Sequence, residues 1–273
     1  MKQDDSTRQD NPKRSRVWLI LLLILICVLI GLWIWFTPSG FWGKVNALGY
    51  SVCHQITPRS FVLGDSQSPL CARCAGMYLG ALVTLIAHFI WGKHGKFPPL
   101  WILIFLGLGL LAFALDGLNS AAGLILPSVS FYETTNLTRL ITGLAVGLGI
   151  GSVLAPIFNQ TLWHKWLSSS AYEKGYRFPL IIAVLGIVGW AVYSQLPVFF
   201  YVSNLLMGLG ILLTLWVIHT TLASFILKRN NTVKQWRDLV LPGLLGFVMV
   251  LAQIGLISLA RYLLTGTWEP VVL

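Results

Sequence analysis

The chain has 273 residues, of which 56% are apolar and only 10% are charged, whereas a soluble domain carries about 25% charged residues. This shortage excludes an ordinary soluble domain. The net charge of +10 does not indicate a nucleic-acid partner, because the basic residues lie in short segments between apolar blocks, as membrane topology requires. The blocks approach the roughly 20 residues of a membrane-crossing helix. The sequence therefore predicts an all-α, polytopic transmembrane helix bundle in a lipid bilayer, with about seven spans.

The N-terminal part divides into a tail, an anchor and a long connection. Residues 1–16 are polar and predict a disordered cytoplasmic tail, and residues 17–36 predict the first span, too long for a cleaved signal peptide. In the connection over 37–68, apolar residues recur at helical spacing from Phe41 to Val52, which predicts an amphipathic helix at the membrane interface. Span two is predicted over 69–91, with Ser68 as its N-cap.

The remaining spans follow at short intervals. Span three begins at Pro98–Pro99 and is apolar as far as Asp116, after which residues 117–126 either extend it or fold back. Span four is predicted over 137–158, capped by Thr135 or Asn136. The last three spans are predicted over 178–193, 198–227 and 239–264. We thus expect a Cys/His-containing membrane domain over 37–158 and a C-terminal membrane region over 159–273.

The distribution of basic residues predicts the orientation. One side of the predicted topology carries 14 of the 19 Lys and Arg residues. They are Lys2, Arg8, Lys13, Arg14, Arg16, Lys93, Lys96, Lys165, Lys174, Arg177, Lys228, Arg229, Lys234 and Arg237. Because cytoplasmic loops carry the excess of Lys and Arg, we expect a plasma-membrane protein with a cytoplasmic N-terminus. His88, His94, His164 and His219 fall on this side, where solvated or interfacial positions are expected.

The chemically distinctive residues fall on the other side. Cys53 and His54 are adjacent in the long connection, and Cys71 and Cys74 form a C-x-x-C motif at the start of span two. Two residues three apart share a helix face, and a helix N-terminus favours thiolate. Arg73 adds positive charge beside them.

This set of side chains leaves several chemistries open. Cys53, Cys71, Cys74 and His54 are enough ligands for a four-coordinate zinc site, although two adjacent ligands are sterically awkward, so His54 could instead orient or relay a proton. The three thiols could also cycle with a disulfide, or pack without chemistry. Cys27, within span one, is expected to be a packing residue.

Two further outer segments carry charged residues that need partners. Arg139 lies in the first turn of span four, where a cation opposes the helix dipole and entry into the membrane is costly. Asp116 and Glu133 are the carboxylates expected to compensate it, with Asp116 pairing with Arg139 as a brace beneath the cysteines. Snorkelling of Arg139 to the head groups is the alternative.

The residues also resemble a known family. The matching runs are Cys53-His54-Gln55, Arg59-Ser60, Cys71-Ala72-Arg73-Cys74-Ala75-Gly76-Met77-Tyr78-Leu79-Gly80, Asp116-Gly117 and Glu133-x-x-Asn136-x-x-Arg139-x-x-Thr142-Gly143. They are similar to the signature of a prokaryotic membrane family catalogued as domain of unknown function 2085, over residues 42–150. The resemblance implies an uncharacterised membrane protein of bacteria or archaea and supplies no reaction.

Three functions follow as hypotheses. The first is an outward-facing metal centre, most simply zinc, with Arg73, Asp116, Glu133, Asn136 and Arg139 as its supports. The second is an enzyme, a membrane thiol–disulfide oxidoreductase that passes electrons between a quinone and an outer dithiol. The third is a transporter or channel, for which paired broken helices and a repeated half are not evident.

Overall fold

The computed structural model describes residues 12–125 and 131–270 of the chain. Within these ranges eight α-helices account for most of the fold, and seven of the helical segments are long and apolar enough to cross a membrane. The helices are α1 (Pro12–Phe36), α2 (Phe41–Tyr50), α3 (Ala72–Trp91), α4 (Leu100–Ile125), α5 (Asn136–Leu162), α6 (Arg177–Ser194), α7 (Pro197–Ile226) and α8 (Val240–Thr265). The predicted polytopic helix bundle is confirmed.

Most helix boundaries agree with the predicted ones. The helix predicted in the long connection is observed as α2, and Thr135 caps α5 with a hydroxyl that accepts a hydrogen bond from the Thr138 N–H. The apolar helix α4 continues past Asp116 to Ile125, so the stretch after Asp116 extends the span as far as it is described, and Leu126 lies outside the described residues. At the N-terminus, α1 begins at Pro12, inside the predicted tail, and residues 1–11 lie outside the described part.

Four short strands were not predicted. Strands β1 (Ser60–Leu63) and β2 (Ser66–Cys71) form an antiparallel hairpin, and β3 (His94–Lys96) pairs in parallel with β4 (Leu167–Ser170) to form a two-stranded ribbon. The expectation that Ser68 caps span two is therefore wrong. Residues 68–70 are buried within β2, and Cys71 occupies the N-cap position of α3. A proline suits the first turn of a helix and also an edge strand, so Pro69 alone did not distinguish the two.

The centre of the bundle is a parallel pair of helices, α3 and α5, that approach each other closely through glycine. A Cβ atom at Gly143 would overlap the Arg73 carbonyl oxygen, and one at Gly147 would overlap that of Met77. On the facing side, a Cβ at Gly76 would overlap the carbonyl oxygen of Leu140. Small residues let membrane helices pack at this range, and the contact fixes the N-termini of both helices at one end of the molecule.

The helices run back and forth between two ends of the bundle. The cysteine end, as we call it, contains α2, the β1–β2 hairpin, the N-termini of α3 and α5 and the C-terminus of α8. There the Thr265 side chain contacts Tyr50. The opposite end contains the β3–β4 ribbon, and we call it the ribbon end. The segment between α7 and α8 also lies at the ribbon end, where the Val233 carbonyl accepts a hydrogen bond from the His164 N–H at 2.9 Å.

Candidate metal centre

Three cysteine sulfurs converge at the cysteine end. The Sγ atoms of Cys53, Cys71 and Cys74 all lie within 4.8 Å of one another. Cys53 is buried, and the other two are half-buried. They come from three neighbouring segments, namely the turn after α2, the last residue of β2 and the first turn of α3. Residues distant in the sequence are thus gathered into one thiol cluster.

Gly49 brings Cys53 to the other two cysteines. The Cys53 N–H donates to the Gly49 carbonyl at 2.9 Å, which continues the turn after α2. A Cβ atom on Gly49 would overlap the carbonyl group of Pro69 in β2. Only a residue without a side chain lets the end of α2 approach β2 this closely, so glycine at this position sets the spacing within the cluster.

Gln55 holds the turn after Cys53 in place. Its φ of 56° lies in the left-handed region, which non-glycine residues adopt only when their surroundings compensate. The Gln55 N–H donates to the Cys53 sulfur at 3.4 Å, and its side-chain amide donates to the Pro69 carbonyl at 2.9 Å and the Asn46 carbonyl at 3.0 Å. The strained backbone thus aims an N–H group at a candidate ligand atom.

Hydrogen bonds among the cysteines favour a thiolate at Cys71. The Cys71 N–H donates to the Cys53 sulfur at 3.3 Å. The pKa of the Cys71 thiol is lowered, chiefly because the Cys53 thiol donates a hydrogen bond to its sulfur and then because the Cys74 thiol does the same. The same bond raises the pKa of Cys53, which is its donor. A group that already stabilises one thiolate is prepared to bind a cation.

His54 does not belong to this cluster. Its side chain is exposed, and the group of potential ligand atoms within 4.8 Å contains the three cysteines without it. Of the four residues expected as ligands, the structure brings the three cysteines together and leaves His54 outside the group. Successive side chains along the extended turn point in different directions, so the burial of Cys53 directs its neighbour outward.

Arg261, in the last turns of α8, clamps the backbone around Cys53. Its guanidinium donates to the carbonyls of Tyr50 at 2.9 Å and His54 at 3.0 Å, and also to that of Cys53. The guanidinium carbon lies 3.8 Å from the centre of the Tyr50 ring. Arg261 was not among the predicted site residues. Its signal was an arginine inside an otherwise apolar span, which is costly and implies a partner.

Asp116 forms its ion pair with Arg73 rather than with Arg139. The carboxylate is 2% exposed, and it accepts from the Arg73 guanidinium and from the Tyr132 hydroxyl at 2.8 Å. The expected Asp116–Arg139 brace is therefore wrong. Arg73, in the first turn of α3, faces α4, where its guanidinium passes Gly117: a Cβ atom built on that glycine would lie 3.6 Å from the Arg73 Nη1 atom, an ordinary van der Waals distance. The brace beneath the cysteines joins α3 to α4.

Arg139 has neutral partners. Its guanidinium donates to the Asn136 side-chain oxygen at 2.9 Å and to the Ser120 hydroxyl at 3.3 Å. Asn136 in turn donates to the Ser60 carbonyl at 3.3 Å, which links α5 to β1. Glu133 is exposed, and in the described ranges it forms no ion pair with Arg139. Four of the five expected supports thus contact other segments at the cysteine end, whereas Glu133 lies at the same end with an exposed side chain.

Comparison with known proteins places the chain in a family. The family described as "Predicted membrane protein (DUF2085)" matches residues 53–153, a range that begins at Cys53 and includes the other two cysteines of the cluster. An uncharacterized protein of Methanocaldococcus jannaschii is 33% identical over 134 residues, which cover 47% of this chain and 80% of that protein. The chain belongs to the DUF2085 family.

A second relative supports the membership. An uncharacterized protein of Methanothermobacter thermautotrophicus is 29% identical over 113 residues, which cover 41% of this chain and 92% of that protein. No solved structure matches the chain. Residues 154–273, which include α6, α7 and α8, lie beyond the DUF2085 match. Because Arg261 comes from α8, a segment outside the match contacts the cysteine cluster.

A second polar cluster, at the ribbon end, was not predicted. His88 and His94 are buried, at 3% and 8% exposure, so the expectation of solvated histidines is wrong for these two. His94 lies 3.3 Å from the Arg177 guanidinium and 3.0 Å from the Ser169 hydroxyl. Arg177 also stacks on Trp91. These residues join β3, β4 and α6, so we interpret the cluster as a structural connection of the ribbon end.

Proposed function

We propose that this membrane protein carries a zinc centre whose protein ligands are Cys53, Cys71 and Cys74. The observation that carries the proposal is the convergence of the three sulfurs within 4.8 Å. Zinc–sulfur bonds of about 2.3 Å in a tetrahedron separate the sulfurs by about 3.8 Å, which falls inside that limit. The N–H groups of Gln55 and Cys71 that point at the Cys53 sulfur are the kind of interaction that orients a metal ligand.

The donor set also suggests which metal and what kind of site. Thiolates are soft ligands, and a tetrahedral set of them favours zinc. Three protein ligands leave the fourth position to water or to a small ligand, as in zinc sites that act on a substrate. Zinc in such a position supplies Lewis acidity to the group that it binds. The chain's own contribution is to hold three thiolates in a fixed geometry between α2, β2 and α3.

Thiol–disulfide exchange linked to a quinone is the second candidate. The lowered pKa of Cys71 and the short distances among the thiols are compatible with it. A quinone-linked relay that passes electrons to an outer dithiol would need a second pair of cysteines. The chain has four cysteines in total, and the fourth, Cys27, lies within α1. This shortage ranks zinc binding above redox cycling, and a transporter has no supporting observation.

The proposed location follows from the charges of the two ends. Most of the basic loop residues occur in the segments of the ribbon end, including Lys93, Lys96, Lys165 and Lys174. Because Lys and Arg are retained on the cytoplasmic side, we propose that the ribbon end and the N-terminus are cytoplasmic. The cysteine end then faces outward at the plasma membrane, and the zinc would keep the thiols from oxidising there.

The test is elemental analysis of the full-length protein purified in detergent without chelators. We expect about one zinc per chain, and a loss of most of it in Cys71→Ser and Cys74→Ser. Cys27→Ser is the matched control and keeps its zinc. His54→Ala also keeps it, because the side chain lies outside the cluster. A folded wild-type protein without metal would contradict the proposal. Zinc loss in His54→Ala would instead support His54 as a fourth ligand beside the three cysteines.

A further inference from the structure

We propose that Arg59 and Arg139 form a phosphate-binding site at the cysteine end, beside the thiol cluster. The two arginines come from different segments, one preceding β1 and the other in the first turn of α5. The site rests on these side chains alone, and it does not require zinc to be bound to the cysteines. It therefore goes beyond the proposed metal centre.

The two guanidinium groups meet at a single residue. Arg59 donates to the backbone carbonyl of Ser120 at 3.2 Å, and Arg139 donates to the Ser120 hydroxyl at 3.3 Å. Both arginines are half-buried. Two like charges held at neighbouring half-buried positions repel each other. Burial lowers the pKa of Arg59, and the charge of Arg73 lowers it further.

The carboxylate in this region does not neutralise the pair. Asp116 bonds to Arg73 and to Tyr132, so its charge is matched by a third arginine. Across residues 12–125 and 131–270, neither Arg59 nor Arg139 forms an ion pair. The Nε atom of Arg139 is buried and has no hydrogen-bond partner there. Two cations thus remain without an ion-pair partner in the described ranges.

The helix dipoles increase the positive potential. Helices α3 and α5 run parallel and start at the cysteine end, so the partial positive charges of both N-termini point there. A cation in the first turn of a helix is unfavourable, yet Arg139 occupies that turn. An anion bound between the arginines would interact favourably with both guanidiniums and both helix ends.

The arrangement of donors favours a phosphate group. Each guanidinium offers a planar fork of N–H groups that matches the oxygens of phosphate or carboxylate. Two forks arriving from different segments suit oxygens that point in several directions, and a phosphate presents its oxygens tetrahedrally, whereas those of a carboxylate lie in one plane. At an end of a membrane helix bundle, such a group can belong to a phospholipid head group or to a soluble phosphate compound, and the chemistry of recognition is the same.

Binding to full-length protein in maltoside detergent tests the site. Native mass spectrometry is run with inorganic phosphate and, in a second arm, with short-chain phosphatidic acid, at low ionic strength. We expect one equivalent bound, and binding weakened about tenfold or more by Arg59→Gln or Arg139→Gln, because each removes charge-assisted hydrogen bonds. Arg237→Gln removes the same charge from an exposed position at the ribbon end and is expected to bind like the wild type.

The inorganic phosphate arm and the phosphatidic acid arm distinguish a soluble phosphate compound from a lipid head group. Binding of the lipid alone assigns the site to a head group, whereas binding of inorganic phosphate assigns it to soluble compounds, and either result supports the site. Absence of binding in both arms, or equal binding by wild type and both Gln variants, overturns it. If a Gln variant does not fold, Arg59→Lys or Arg139→Lys keeps the charge without the fork and should still bind phosphate more weakly than the wild type. Zinc content, measured on the same samples, reports on the metal centre separately.

Discussion

Asp116 and Arg73 form the buried ion pair of the cysteine end. Removing one partner of such a pair leaves the other charge without compensation. We expect Asp116→Asn to lower the free energy of unfolding by about 1–3 kcal/mol, measured by thermal unfolding in detergent. Glu133→Gln is the matched control, since this carboxylate is exposed, and it should change stability by less than about 0.5 kcal/mol. Equal effects of the two variants would contradict the assigned pairing.

Arg261 is expected to act on the metal centre through the backbone. Arg261→Gln removes the donors of the carbonyls on both sides of the Cys53 turn, so the position of the Cys53 sulfur becomes less fixed. We predict that zinc affinity falls about tenfold or more, as for other groups that orient metal ligands. Competition with a chelator measures this change. Arg237→Gln is the control, and an unchanged affinity in Arg261→Gln would show that the clamp does not support the site.

At the residue scale, spacing predicted the cysteines but not their partners. C-x-x-C and an upstream Cys suffice to predict a shared cluster, because residues three apart lie on one helix face. The partner of Arg73 depends on how α3 faces α4, and the clamp by Arg261 depends on where α8 ends. Both are tertiary contacts between segments far apart in the chain, which local patterns do not encode.

The contact between α3 and α5 is the most constrained one at the element scale. Gly143→Ala would place a methyl group against the Arg73 carbonyl and push the two helices apart. We predict a clear loss of thermal stability and a loss of zinc, because Arg73 lies between Cys71 and Cys74. Gly107→Ala in α4 is the matched control, since a Cβ there meets no atom within 4 Å. A stable, zinc-loaded Gly143→Ala protein would contradict this packing.

The elements that sequence patterns predicted well are the long apolar ones. Seven spans follow from block length alone, because a helix must satisfy its own backbone inside the bilayer. The β1–β2 hairpin escaped prediction because both strands are short, β1 is a run of apolar residues after Ser60, and β2 contains Ser, Gln and Pro, so neither strand alternates apolar and polar residues. Its pairing supports the cysteine loop, so the least predictable element is part of the candidate site.

At the scale of the whole molecule, the orientation in the membrane is a prediction. In a Cys27→Ser background, and measured above the labelling of that background itself, an impermeant maleimide should label Glu133→Cys in intact cells and Lys174→Cys only after permeabilisation. Both positions are exposed, and they lie at opposite ends of the bundle. The reverse labelling pattern would place the cysteine end in the cytoplasm and would contradict the distribution of basic residues as the guide to topology.

The zinc centre is the central claim, and X-ray absorption at the zinc edge of the purified protein tests it most directly. The proposal predicts three sulfur neighbours at about 2.3 Å and one nitrogen or oxygen neighbour at about 2.0 Å. The sulfur signal should decrease in Cys74→Ser and persist in His54→Ala. A spectrum with only nitrogen and oxygen neighbours, or a folded protein that takes up no zinc, would contradict it.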